Sequence, residues 1–119
     1  MDIGVLMRFG RIVPGREEWA VDLFTEGVEF FGEKLSEGWI TFFEPYMFRT
    51  ADFEAETGFF LFKGPEDKIY TLLEDEAYLH LITKANLVVE HMKVDLLTVG
   101  DRIQAQMDRF AKVRVDLAI

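Results

Sequence analysis

The chain has 119 residues, half of them hydrophobic, a formal net charge of −9 and no cysteine. That length suits one domain with its own core, read as residues 1–119. The acidic balance argues against nucleic-acid phosphates and anionic membranes as partners. The lack of cysteine excludes disulfides, thiolate nucleophiles and zinc–cysteine or iron–sulfur centres.

Residues Ile3 to Phe9 form a short apolar run, closed by Gly10 and then Pro14-Gly15, which predicts a first strand and a turn. Met1-Asp2-Ile3-Gly4 lacks the basic and apolar blocks of a secretory leader. No apolar stretch approaches the ~20 residues of a membrane span, so a cytoplasmic protein is expected. From Pro14 or Arg16 to Leu35, the residues Ala20, Phe24, Gly27, Val28, Phe31 and Leu35 recur at helical spacing, with acidic residues left for solvent.

Trp39 to Arg49 is dense in aromatic and β-favouring residues, and Pro45 inside it implies an edge position or a bulge. A polar connection leads to Thr57–Lys63, whose centre is Phe59-Phe60-Leu61-Phe62, and the two segments should pair as an antiparallel hairpin. Gly64-Pro65-Glu66-Asp67 opens a second helix that Asp75-Glu76 interrupts, with a second piece running to about Asn86. A fourth strand lies within Glu90 to Val99, with Met92, Val94 and Leu96 on one side and His91, Lys93 and Asp95 on the other. Residues 100–119 are read as a C-terminal helix capped by Asp101, followed by a tail from Val113 to Ile119 that alternates like a half-buried strand.

The order is the split β-α-β pattern: an α+β, ferredoxin-like βαββαβ domain with a four-stranded antiparallel sheet, helices on one face and an extra C-terminal helix. Both parities of the central hairpin are apolar, whereas helices can bury only one face. Leaving Phe rings exposed forgoes ~1.5–3 kcal/mol each and makes a sticky patch. A second copy related by a two-fold axis is the simplest cover. The alternative is that the C-terminal helix folds over the open face of a monomer.

The short first strand leading to Pro14-Gly15 and a long helix bearing Phe24, the aromatic hairpin Trp39–Phe62, the two-part helix Glu66–Asn86 and the closing strand His91–Val99 together resemble the dimeric α/β-barrel superfamily. Within it, the resemblance is to the antibiotic-biosynthesis-monooxygenase-like domains, over roughly residues 3–100. It implies two sheets packed face to face as a barrel, with a pocket inside each subunit. Some members are cofactor-independent oxygenases of aromatic substrates, some degrade haem and some are isomerases. The haem-degrading members use an Asn on the first strand, a Trp and a His on the second helix. Here Ile3–Phe9 contains no Asn, and Trp39 and His80 stand nearest to the other two.

Under that resemblance, His91, Lys93 and Asp95 point towards the barrel interior or its rim, where His91 beside Asp95 is a candidate for proton transfer. Arg8 and Glu44 each interrupt an apolar strand, and a buried charge must pair or shift its pKa. They either pair with each other or line a pocket, with Glu44 and Tyr46 the favoured lining pair. The candidate catalytic residues are therefore His91, Asp95 and Glu44, and the candidate ligand-binding residues Arg8, Tyr46, Trp39 and His80. Each also has an ordinary structural reading as a solvated or salt-bridged side chain. The expected function is small-molecule binding or cofactor-independent monooxygenase-like chemistry in an apolar pocket, with no metal or cofactor. The expected partners are a second copy of the chain and a small hydrophobic or aromatic ligand. A non-enzymatic homodimeric structural or regulatory module is the alternative, and haem binding through His80 a third reading.

Overall fold

The computed structural model describes residues 1–49 and 56–117. Its strands are β1 (Asp2–Gly10), β2 (Phe42–Met47), β3 (Glu56–Pro65) and β4 (Lys93–Thr98). Its helices are α1 (Glu17–Ser36), α2 (Glu66–Leu73), α3 (Glu76–Val88) and α4 (Arg102–Asp116). The strands form one sheet in the order β2-β3-β1-β4, every pairing antiparallel. This is the ferredoxin-like α+β arrangement that the sequence pattern predicts. Among the described residues, no helix is long and apolar enough to cross a membrane.

Residues directly opposite in an antiparallel pair share a face, so the register assigns the two sides of the sheet. Ile3, Val5 and Met7 of β1 lie beside Phe60 and Phe62 of β3 and Phe43 of β2, facing the helices. Leu6 and Arg8 lie beside Leu61 and Phe59, Glu44 and Tyr46, and Asp95 and Lys93, facing away from them.

The core forms on the helix side, where Phe31 of α1 is fully buried. Its ring stacks on Phe62 at 4.6 Å and on Phe43 at 5.3 Å, and meets Phe60 and Tyr78 edge-on. One side chain thus ties α1 to two strands and to α3. Burial raises the Tyr78 hydroxyl from 10.0 to about 12, because the phenolate would have to ionise among apolar groups.

Asp75 ends the first piece of the split helix and caps the second, its side chain accepting a hydrogen bond from the Ala77 amide at 3.2 Å. Pro45 sits in the edge strand β2, where a missing N–H costs least. Three expectations are corrected. Strand β2 starts at Phe42 rather than Trp39, because the Trp39 and Ile40 amides donate to the Lys34 carbonyl and close helix α1. It ends at Met47, two residues short of Arg49.

The segment Val113–Asp116 is helix, with Leu117 as its C-cap, and not a strand. No Gly or Pro separates it from Phe110, so nothing stops a helix already formed, and Val113 and Leu117 extend the stripe of Ile103, Met107 and Phe110. The last two residues of the tail lie outside the described residues. Finally, Val94 and Leu96 lie on the helix side as their parity predicts, yet remain 39% and 49% exposed. Helices α1 and α2 pack over β1, β2 and β3, and leave the edge strand β4 bare.

Phe31→Ala removes the ring common to these contacts and is expected to cost about 3–5 kcal/mol in urea denaturation. Tyr78 sets an alkaline limit as well. Its folded pKa lies above the unfolded value of 10.0, so its contribution is complete below pH 10 and is lost as pH rises towards 12. Wild-type stability should therefore fall by about 1.4 kcal/mol per pH unit in that window relative to Tyr78→Phe, measured by paired denaturation curves.

Candidate functional site

Between the sheet and helices α1 and α3 the core is incomplete. A cavity of about 270 Å³ remains there, at the small end of the range for ligand pockets. Its floor is Met7, Phe9 and Phe60 of the sheet, and its walls are Ala20, Phe24 and Gly27 of α1 and Leu81, Ala85 and Val88 of α3. Val21 and Met47 stand at its edge, each 65% exposed.

Small residues keep it open. A Cβ at Gly27 would fall 2.7 Å from the ring of Phe60, so glycine lets α1 approach the sheet while Phe60 stays in place. Phe60 is held by Phe9 at 4.8 Å, Phe24 at 5.3 Å and Phe43 at 5.4 Å. Met7 and Met47 give two adaptable side chains to an otherwise stiff lining.

The polar side chains of the lining are Thr25 and Thr57. Thr25 donates its hydroxyl proton to the Val21 carbonyl at 3.1 Å, and Thr57 donates to the Gly10 carbonyl at 3.2 Å. Among the described residues, the walls therefore hold no acid, base or cation. Such a lining can desolvate and orient an apolar molecule.

None of the seven residues singled out in the sequence lines this cavity. Arg8 pairs with Asp95 at 2.7 Å, not with Glu44, since Asp95 lies diagonally across the β1–β4 pairing on the same face. Glu44 accepts a hydrogen bond from the Tyr46 hydroxyl, also on the open face. That bond stabilises the neutral phenol, and with some burial and the Glu44 charge it raises the Tyr46 pKa. His91 lies before β4 at φ 53°, a left-handed conformation uncommon for a residue with a side chain, and is exposed.

His91 takes that shape where the chain crowds β1, since a Cβ at Gly10 would fall 1.9 Å from the Glu90 carbonyl oxygen. Arg11 clamps the same turn by donating two hydrogen bonds to Glu90, both 3.0 Å. This clamp lowers the Glu90 pKa. His80 is exposed on α3, and Trp39 is half-buried in the turn before β2. Of the expected groupings, Glu44 with Tyr46 forms, but on the sheet's open face. Among the described residues, no His, Asp and Glu side chains gather as a metal site.

The cavity-lining residues escaped sequence reasoning because each is an ordinary core residue at helical or strand spacing. The available signal was the run of small residues, Ala20, Gly27 and Ala85, facing a strand full of Phe.

These features define a ferredoxin-like α+β domain with one sheet face open and a cavity beneath its helices. No protein-family model matches the chain, and no curated protein sequence is detectably similar. Solved structures do share its fold. SnoaB, a cofactor-independent oxygenase from Streptomyces nogalater, superposes with a TM-score of 0.63 at 14% identity, over 84% of this chain and 94% of its own. A dimeric protein of unknown function and ferredoxin-like fold from Bacteroides fragilis gives 0.61 at 14% identity, over 82% and 96%. A protein proposed as an antibiotic biosynthesis monooxygenase, from Deinococcus radiodurans, gives 0.60 at 13% identity, over 85% and 94%.

Replacing Glu44 by Gln should lower the Tyr46 pKa towards its ordinary value of 10.0, by removing both the charge and the preferred acceptor. Ultraviolet titration against Tyr46→Phe isolates this hydroxyl, and an unchanged midpoint would separate the two side chains.

Proposed function

We propose that the protein is a homodimer that binds small, neutral, apolar or aromatic molecules in the cavity between its sheet and helices. The observation that carries this reading is the cavity lining. Among the described residues it is apolar except for two threonines whose hydroxyl protons are already given to backbone carbonyls. A charged ligand entering it would lose its hydration with nothing in return. A planar apolar ligand would gain contact with Phe9, Phe24 and Phe60.

The dimer is supported from the other side of the sheet. Leu6, Phe42, Phe59 and Leu61 lie on a face that the chain's own helices do not cover. The Nε of Arg8 is buried there without a hydrogen-bond partner. Such a donor costs about 1–3 kcal/mol, and an acceptor from a second copy would remove that cost. On this reading Arg8, Glu44, Tyr46 and Asp95 form a polar network between two facing sheets, and the dimeric neighbour from Bacteroides fragilis supports the same assembly. His91, Trp39 and His80 then have structural roles.

A second reading, oxygenation of the bound aromatic molecule without a cofactor, is favoured by the likeness to SnoaB. Among the described residues the lining offers no base, so on this reading the substrate is one that ionises or enolises readily.

The neutral probe N-phenyl-1-naphthylamine should gain fluorescence with the wild-type protein. Ala20→Phe, which fills the cavity from α1, should weaken this binding by about tenfold or more with little change in melting temperature. Equal binding by the two proteins would remove the cavity from the function. For assembly, sedimentation should give twice the 13.8 kDa chain mass for the wild type and one chain mass for a folded Leu61→Glu variant.

A further inference from the structure

Helix α4 leaves the body of the protein. None of its residues is buried, and Ile103, Met107, Phe110 and Val113 are each 46–59% exposed. The Cα radius of gyration is 16.7 Å, against about 13–14 Å for a compact chain of this length. At ~1.5 Å per residue, the 15 residues of α4 give an arm of about 22 Å.

This arm is not a helix waiting to fold back on its own sheet. Gly100 takes a left-handed φ of 63° before the helix, and the ion pair of Arg102 with Glu66 fixes the first turn. Arg102, Ala105, Gln106 and Arg109 face the body across a cleft that Tyr70 and Leu96 line on the other side. At 100° per residue, the stripe Ile103, Met107, Phe110 and Leu117 points about a quarter turn away from that polar side. The anchoring contacts therefore leave the apolar stripe to the side of the body, where its residues stay exposed.

We infer that α4 is an interchain arm whose apolar stripe packs against a second copy of this chain. Charge favours that occupant. Arg102, Arg109, Lys112 and Arg114 against Asp108 and Asp116 give the helix +2, which leaves −11 on the rest of a chain whose total is −9. A basic arm thus meets an acidic body, whereas an anionic membrane would attract the arm and repel everything behind it. The area is also in proportion. Ile103, Met107, Phe110 and Leu117 expose roughly 500 Å² of stripe, a large share of the about 800 Å² each partner buries in a stable interface. The arm follows the edge strand β4, at the border of the sheet, and its interchain role rests on the dimer reading above.

The test uses the full chain. Met107→Asp with Phe110→Asp alters two exposed positions, so the fold should survive, and the dimer dissociation constant should rise at least about tenfold. Placing p-benzoylphenylalanine at position 110 in a mixture of tagged and untagged chains should give tagged–untagged crosslinks on irradiation. Crosslinks confined within one chain, or an unchanged dissociation constant, would overturn the arm. So would vesicle binding by 30% phosphatidylserine membranes that is lost in the double variant while the dimer persists. If Leu61→Glu dissociates the dimer and the arm variant does not, the sheet-face dimer stands without the arm. If the arm variant alone dissociates it, the arm stands without that face. A wild type that sediments as a single chain at all concentrations would end both.

Discussion

Phe31 sets the geometry from which the other features follow. Its ring lies flat between Phe62 and Phe43 and edge-on to Phe60 and Tyr78, so α1 is fixed over β3 and β2, with α3 beside it. A helix layer centred there cannot also reach β4, the edge strand at the opposite side of the sheet. Val94 and Leu96 stay exposed for that reason, and α4 begins in the space beyond them. The cavity has the same origin. Towards the Gly10 end of β1 the aromatic layer gives way to Ala20, Gly27 and Ala85, too small to fill the gap that the ring spacing leaves.

The sequence made the fold legible wherever pattern and local chemistry agreed. The paired apolar parities of the hairpin, the helical recurrence from Ala20 to Leu35 and the break at Asp75 each depend on neighbours within a few residues, and each appears in the structure. The tail failed because a Val-Arg-Val-Asp-Leu alternation fits a strand and a helix face equally well over so few residues. The choice lay in what preceded it, a helix with no stop signal.

The site was harder to read, for a physical reason. Charged residues in apolar strands draw attention because burial makes them costly. Arg8 and Glu44 stood out on those grounds, yet they lie on the face away from the cavity, Arg8 paired there with Asp95. A cavity whose described walls carry no charge has no comparable signature, since Leu81 or Val88 beside a void has the same spacing as Leu81 or Val88 beside another side chain. Only the absence of a contact distinguishes them, and absence depends on three elements that are distant in sequence.

Strand β3 carries both faces and keeps them apart. Phe60 forms the floor of the cavity, while Phe59 stacks on Tyr46 at 4.7 Å on the open side. A ligand could influence assembly through this strand only by moving Phe60 and so tilting the backbone it shares with Phe59. Phe60 is clamped by Phe9, Phe24, Phe31 and Phe43, and a close-packed ring does not give gradually. The aromatic density that first suggested two apolar sheet faces thus acts as a partition. It lets the helix side hold a void and the open side hold charge, with neither imposing its chemistry on the other.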